Sequence, residues 1–64
     1  MIKINGIEKD SAGKSVAEFL AENGYDIKRV AVEMNEDILP KSQYESTFLK
    51  DGDVIEVVSF VGGG

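Results

Sequence analysis

Ile2 and Ile4 alternate with Lys3, and Ile7-Glu8-Lys9 follows directly after Asn5-Gly6. Asn-Gly between short alternating runs is a strong hairpin signal, because a type I′ turn needs positive φ at both central residues. The chain is therefore expected to open with a β-hairpin. Apolar residues then recur at Val16, Phe19 and Leu20, the i, i+3, i+4 spacing of one helical stripe. Ser15 and Glu18 stand where a capping box needs them, each able to satisfy the other's backbone N–H. Gly24, after Asn23, supplies a left-handed stop, so the spacing predicts a short helix over roughly residues 16–23.

Val30 to Asn35 (VAVEMN) reads as a strand by alternation and β-branching. Glu36-Asp37 reads as a turn, and Ile38-Leu39 as a short return strand ended by Pro40, which has no N–H for a ladder. Residues 41–47 (KSQYEST) are polar around Tyr44 and read as a loop with room for one helical turn. Phe48-Leu49 is expected to dip back into the core, Lys50 to Asp53 to turn, and Val54 to Phe60 to form the longest strand. The order is β-β-α-β-β-β, an α+β arrangement with one helix across a mixed sheet and the apolar last strand beside the first. Strand alternation and the helical stripe place Ile2, Ile4, Phe19, Leu20, Val32, Ile55 and Val57 in one core. Glu56, Val58 and Phe60 then face outward.

Composition narrows the chemistry. A chain of 64 residues is a single small domain that buries only about 60% of its unfolded surface. It contains neither cysteine nor histidine, which removes disulfides, the usual zinc ligands and the usual general base near neutral pH. The net charge of −5 argues against a nucleic-acid partner, for which a basic face is expected. No apolar stretch approaches a membrane span, and the first residues are unlike a signal peptide, so the expected compartment is the cytoplasm.

Three clusters invite a catalytic reading and each has a plainer one. Gly13-Lys14-Ser15 resembles the end of a phosphate-binding loop, but Glu8 stands where the motif needs a glycine, and Ser15 is accounted for as a helix cap. Asp51, Asp53 and Glu56 could be imagined as a metal or acid–base cluster, but Asp51 and Asp53 are expected to be exposed carboxylates of the Asp51-Gly52-Asp53 turn, and Glu33, Glu36 and Asp37 a solvated turn. The remaining feature is the end, Phe60-Val61-Gly62-Gly63-Gly64. A glycine run has nothing to pack and loses the most backbone entropy if ordered, so it does not serve the core.

Val30 to Pro40 (VAVEMNEDILP), Leu49 to Val58 (LKDGDVIEVV), the Ser15-Val16-Ala17-Glu18-Phe19-Leu20 helix start and the Phe60 to Gly64 tail together resemble the ThiS family, the sulfur carriers of thiamine biosynthesis. The resemblance covers essentially the whole chain. Three terminal glycines stand where the family commonly has two, which makes Gly62 an extra spacer. The resemblance implies a ubiquitin-like β-grasp domain over residues 1–61 and a flexible tail over 62–64. It implies a carrier rather than an enzyme, with no cofactor and no metal of its own. The Gly64 carboxylate would be adenylated by an E1-like ATP-dependent adenylyltransferase of the ThiF type. Sulfur from a cysteine desulfurase or another donor would convert it to a thiocarboxylate, for delivery to a thiazole synthase of the ThiG type. Gly62 and Gly63 would give the tail access to a narrow active site, and Val58, Phe60 and Val61 would contact partners. Two alternatives remain open here: the small subunit of molybdopterin synthase, with the same tail chemistry, and a protein modifier or plain binding module.

Overall fold

A computed structural model describes residues 1–60. The opening hairpin pairs β1 (Ile2–Ile4) with β2 (Ile7–Lys9) in antiparallel register, Ile4 opposite Ile7. Its turn has φ of 48° at Asn5 and 83° at Gly6, the left-handed pair that the dipeptide predicts. Helix α1 spans Val16–Glu22 and begins with the capping box: the Glu18 N–H donates to Ser15 Oγ at 3.1 Å, and the Ser15 N–H donates to Glu18 Oε1 at 3.1 Å. Asn23 closes the helix, one residue earlier than the apolar spacing suggested, and Gly24 follows at φ 79°. A single 3₁₀ turn at Ile27–Arg29 leads into β3 (Val30–Met34), which pairs antiparallel with β4 (Asp37–Leu39). A second 3₁₀ turn, Lys41–Gln43, follows Pro40, and β5 (Val54–Ser59) ends the described chain.

The strand order is β2-β1-β5-β3-β4, with β5 parallel to β1 and antiparallel to β3. This is the expected β-β-α-β-β-β architecture, with the last strand at the centre. The inward side chains of β1, β3 and β5 meet the helical stripe in one core that contains all seven predicted residues.

Two asparagines tie both hairpin turns to β5. Asn5 accepts from the Val57 N–H at 2.9 Å and donates Nδ2 to the Val57 carbonyl at 3.2 Å. Asn35 does the like at the opposite end, accepting from the Val54 N–H at 2.9 Å and donating Nδ2 to Asp53 at 3.1 Å. The second turn is thus centred on Asn35-Glu36, with φ of 53° and 75°, rather than on Glu36-Asp37. Asp37 belongs to β4. A glutamate in the left-handed region costs on the order of 1 kcal/mol, which these hydrogen bonds offset.

Two further expectations are corrected. Asp53 is buried rather than solvated: besides Asn35 it accepts from the Lys50 N–H at 2.8 Å, which closes the turn that precedes β5. Phe48 does not enter the core. Leu49 is held between Gly13 and Lys14 by backbone hydrogen bonds of 2.8 Å each and points inward, so Phe48, in extended backbone beside it, points outward.

Tyr44, in the polar 41–47 segment, is a buried core residue that the pattern missed. Burial pushes its hydroxyl pKa above 10.0, partly opposed by a hydrogen bond with the Val32 backbone. A folded-state pKa raised above the unfolded value means that stability is fully present below about pH 10 and is lost as pH rises through the folded value. Thermal melts between about pH 9 and about pH 12 should show this loss, and Tyr44→Phe should reduce it.

Candidate functional site

The sequence points to the end of the chain, so the question is how the fold presents it. β5 is clasped on both sides: Ser59 lies opposite Val30, Ile4 pairs with Ile55, and Asn5 continues the β1 side as far as Val57. The Phe60 N–H donates to the Arg29 carbonyl at 2.7 Å, extending the attachment one residue past the strand. Arg29 is itself paired with Asp26 at 3.6 Å. The chain is therefore anchored through Phe60. Val61, Gly62, Gly63 and Gly64 lie outside the described residues.

The predicted contact residues fall where alternation put them. Ile55 and Val57 are buried, while Val58 is 58% exposed and Phe60 56% exposed, both large apolar groups without cover at the base of the tail. Glu56 shares the outward face and stands opposite Glu33 of β3. The side chains that sequence reasoning left out are Ala31, Ile38 and Val54, which occupy this same open face. Ile38 is 76% exposed, and the period-2 pattern of β4 was too short to signal it.

The other candidate clusters do not assemble. Lys14 pairs with Glu22 and Ser15 is spent on the helix cap, so Gly13-Lys14-Ser15 is a helix entry. Asp51 pairs with the N-terminal amine and Asp53 with backbone and Asn35. Among the described residues no group of three or more acidic side chains is placed to hold a metal ion. A shallow cleft of about 280 Å³ between the first hairpin and the end of α1 is lined by Ile4, Asn5, Ile7, Lys9, Asn23 and Tyr25, and brings no nucleophile to a base. No described helix is long and apolar enough to cross a membrane.

A mixed five-stranded sheet with one helix packed across it and the last strand at its centre defines a class, the ubiquitin-like β-grasp domains. Comparison makes the assignment particular. Residues 2–64 match the ThiS family profile, and the chain belongs to that family. It is 39% identical over 64 residues to the sulfur carrier protein ThiS of Thermus thermophilus, the alignment covering 100% of both chains. The crystal structure of the thiamine biosynthesis protein ThiS from Geobacter metallireducens superposes with a TM-score of 0.76 at 31% identity, covering 98% of this chain and 97% of that one. It is also 48% identical over 62 residues to a thiazole synthase of Paramagnetospirillum magneticum, of which it spans only 19%. A domain of this kind thus also occurs inside a thiazole synthase chain.

Proposed function

We propose that this protein carries sulfur for thiazole formation in thiamine biosynthesis, with the Gly64 carboxyl group as the carrying atom set. The observation that supports it is the placement of β5: the central strand of the sheet, paired on both sides, is the one followed in sequence by Val61-Gly62-Gly63-Gly64. The end-to-end match to a named sulfur carrier supports the same reading.

A carboxylate is a poor electrophile, because its charge repels nucleophiles and its oxygen leaves badly. Attack of the Gly64 carboxylate on the α-phosphorus of ATP releases pyrophosphate and forms an acyl adenylate, splitting one hard step into two easier ones. The outer sulfur of a donor persulfide then attacks the carbonyl carbon and displaces AMP, which carries away one carboxyl oxygen. A thiol of the donor or the activating enzyme cleaves the resulting acyl disulfide, being oxidised to a disulfide, and leaves the thiocarboxylate, so that one oxygen is exchanged for sulfur. ATP and the catalytic groups belong to an E1-like activating enzyme, with a cysteine desulfurase or equivalent as donor. This chain supplies the reach: Gly62 and Gly63 place no Cβ in the entry channel, and three extended residues span about 10 Å at roughly 3.3–3.6 Å each. The chain contains no cysteine to compete for the sulfur. The acceptor follows from the thiazole synthase that holds a similar domain within its own chain, which favours thiazole formation over molybdopterin synthesis.

Intact mass spectrometry after co-expression with the activating enzyme and a sulfur donor tests the reading: one oxygen-to-sulfur exchange, located at Gly64, is expected. An isopeptide adduct instead would mark a protein modifier.

Val58 and Phe60 are the proposed contacts at the tail base, with Val61 next along the chain. Phe60→Ala should raise the KM of the activating enzyme for the carrier by about tenfold, as loss of a central apolar anchor does. Stability should change by no more than about 0.5 kcal/mol, because the ring lies on the surface. Unchanged activation kinetics in the folded variant would remove Phe60 from the contact.

A further inference from the structure

The open face of the sheet carries a cost that the fold does not explain. Glu33 of β3 stands directly opposite Glu56 of β5 on one side and Ile38 of β4 on the other, so a single row across the sheet reads Ile38, Glu33, Glu56. Directly opposed side chains have Cβ atoms about 4.5–5.5 Å apart, and like charges so placed are destabilising. The ion pairs among the described residues join Met1 to Asp51, Lys14 to Glu22 and Arg29 to Asp26; none reaches either glutamate. Lys3, the basic residue of this face, is in register with Val54 and lies diagonal to Glu56 without pairing to it.

The same face is apolar around that row. Along β5 the outward positions are Val54, Glu56 and Val58, with the two valines 46% and 58% exposed, and Ala31 lies opposite Val58. With Ile38 and Phe60, four large apolar side chains border two unpaired carboxylates, on the face of the sheet turned away from the core.

We propose that this face docks the enzyme that takes up the chain terminus, and that the occupant presents an arginine or lysine over the Glu33–Glu56 row between apolar side chains that pack on Ile38, Val54 and Val58. The inference rests on the carrier reading and names the recognition chemistry of that partner. Charge complementarity selects the occupant. A guanidinium offers hydrogen-bond donors in a planar fork and can serve two carboxylates at once, relieving the repulsion that the free domain bears. The surrounding apolar contacts exclude water and strengthen the pairing. A second copy of this chain is disfavoured, since isologous pairing on this face would bring a second glutamate pair against the first. Continuity favours the same partner. Val58 is six residues from Gly64, at most about 20 Å of extended chain, so an enzyme holding the terminus in its active site is within reach of this face.

The test is the double variant Glu33→Gln, Glu56→Gln in the full chain. Removing the repulsion should leave the thermal midpoint unchanged or higher. In ATP–pyrophosphate exchange with the activating enzyme, the KM for the carrier should rise by about tenfold or more, with kcat at saturating carrier within about twofold, the mark of lost uniform binding. The dependence of KM on salt should flatten. An unchanged KM, or a KM that rises only alongside a lowered midpoint, would overturn the proposal. So would a wild-type dimer in light scattering that the variant abolishes. An enzyme that supports exchange equally with both proteins removes the docking face and leaves the carrier reading intact. One that binds the wild type by this face but never catalyses exchange does the reverse.

Discussion

Deleting Gly64 alone should abolish ATP–pyrophosphate exchange, or slow it by at least about 10²-fold, while the thermal midpoint stays within experimental error. The deletion still leaves a terminal Gly62-Gly63 and a free carboxylate, so charge and chemical type are conserved. What changes is position, by about 3.3–3.6 Å of reach. In-line attack on a phosphorus atom needs near-attack geometry, and a misplacement of about 1 Å can already cost 10²-fold. Stability should not respond, because the described fold is closed by residues up to Phe60, whose N–H makes the last hydrogen bond to Arg29. Adding one residue after Gly64 should have an equal effect by a different route, since the reactive carbonyl becomes an amide. Gly63→Ala should impair activation through its Cβ and again spare the fold. Exchange assays run beside thermal melts check all three. Full activity from either the deletion or the extension would show that the Gly64 carboxylate is not the reacting group.

Phe19→Ala should remove between about a third and the whole of the protein's stability. Phe19 is 1% exposed at the middle of the helical stripe, facing the inward residues of β1, β3 and β5. Truncating a buried phenylalanine costs about 3–5 kcal/mol. A domain of 64 residues has in total only about 3–10 kcal/mol at the usual ~0.05–0.15 kcal/mol per residue. A surface deletion of a phenylalanine ring is the control: Phe48→Ala, at a position 54% exposed, should change stability by no more than about 0.5 kcal/mol. Urea denaturation of the two variants separates them. Equal losses would mean that Phe48 is part of the core after all.

The local elements of this fold are legible in the sequence, because each is specified by residues within a few positions of one another. Ser15 and Glu18 make a capping box only with each other and the backbone between them. Asn5-Gly6 dictates a type I′ turn through its own φ preferences, and the alternation of Val54 to Val58 divides β5 into buried and exposed faces without reference to any other strand. The outward placement of Val58 and Phe60, and hence the base of the candidate site, followed from that alternation alone.

Tertiary structure decided whatever depends on a partner distant in the chain. Tyr44 sits among polar neighbours that predict a loop, yet it is buried because the 41–47 segment closes the core and bonds back to α1, the Ala17 N–H donating to the Tyr44 carbonyl at 2.9 Å. Asp53 reads as a solvated turn carboxylate until Asn35, eighteen positions earlier, arrives to bond it. The opposition of Glu33 and Glu56 is a matter of strand register, and register between β3 and β5 is set by which faces of both strands meet the core. A slip of one residue would turn every one of these side chains over. Sequence determined which side of its strand each glutamate occupies; only the packed sheet determined that they face each other.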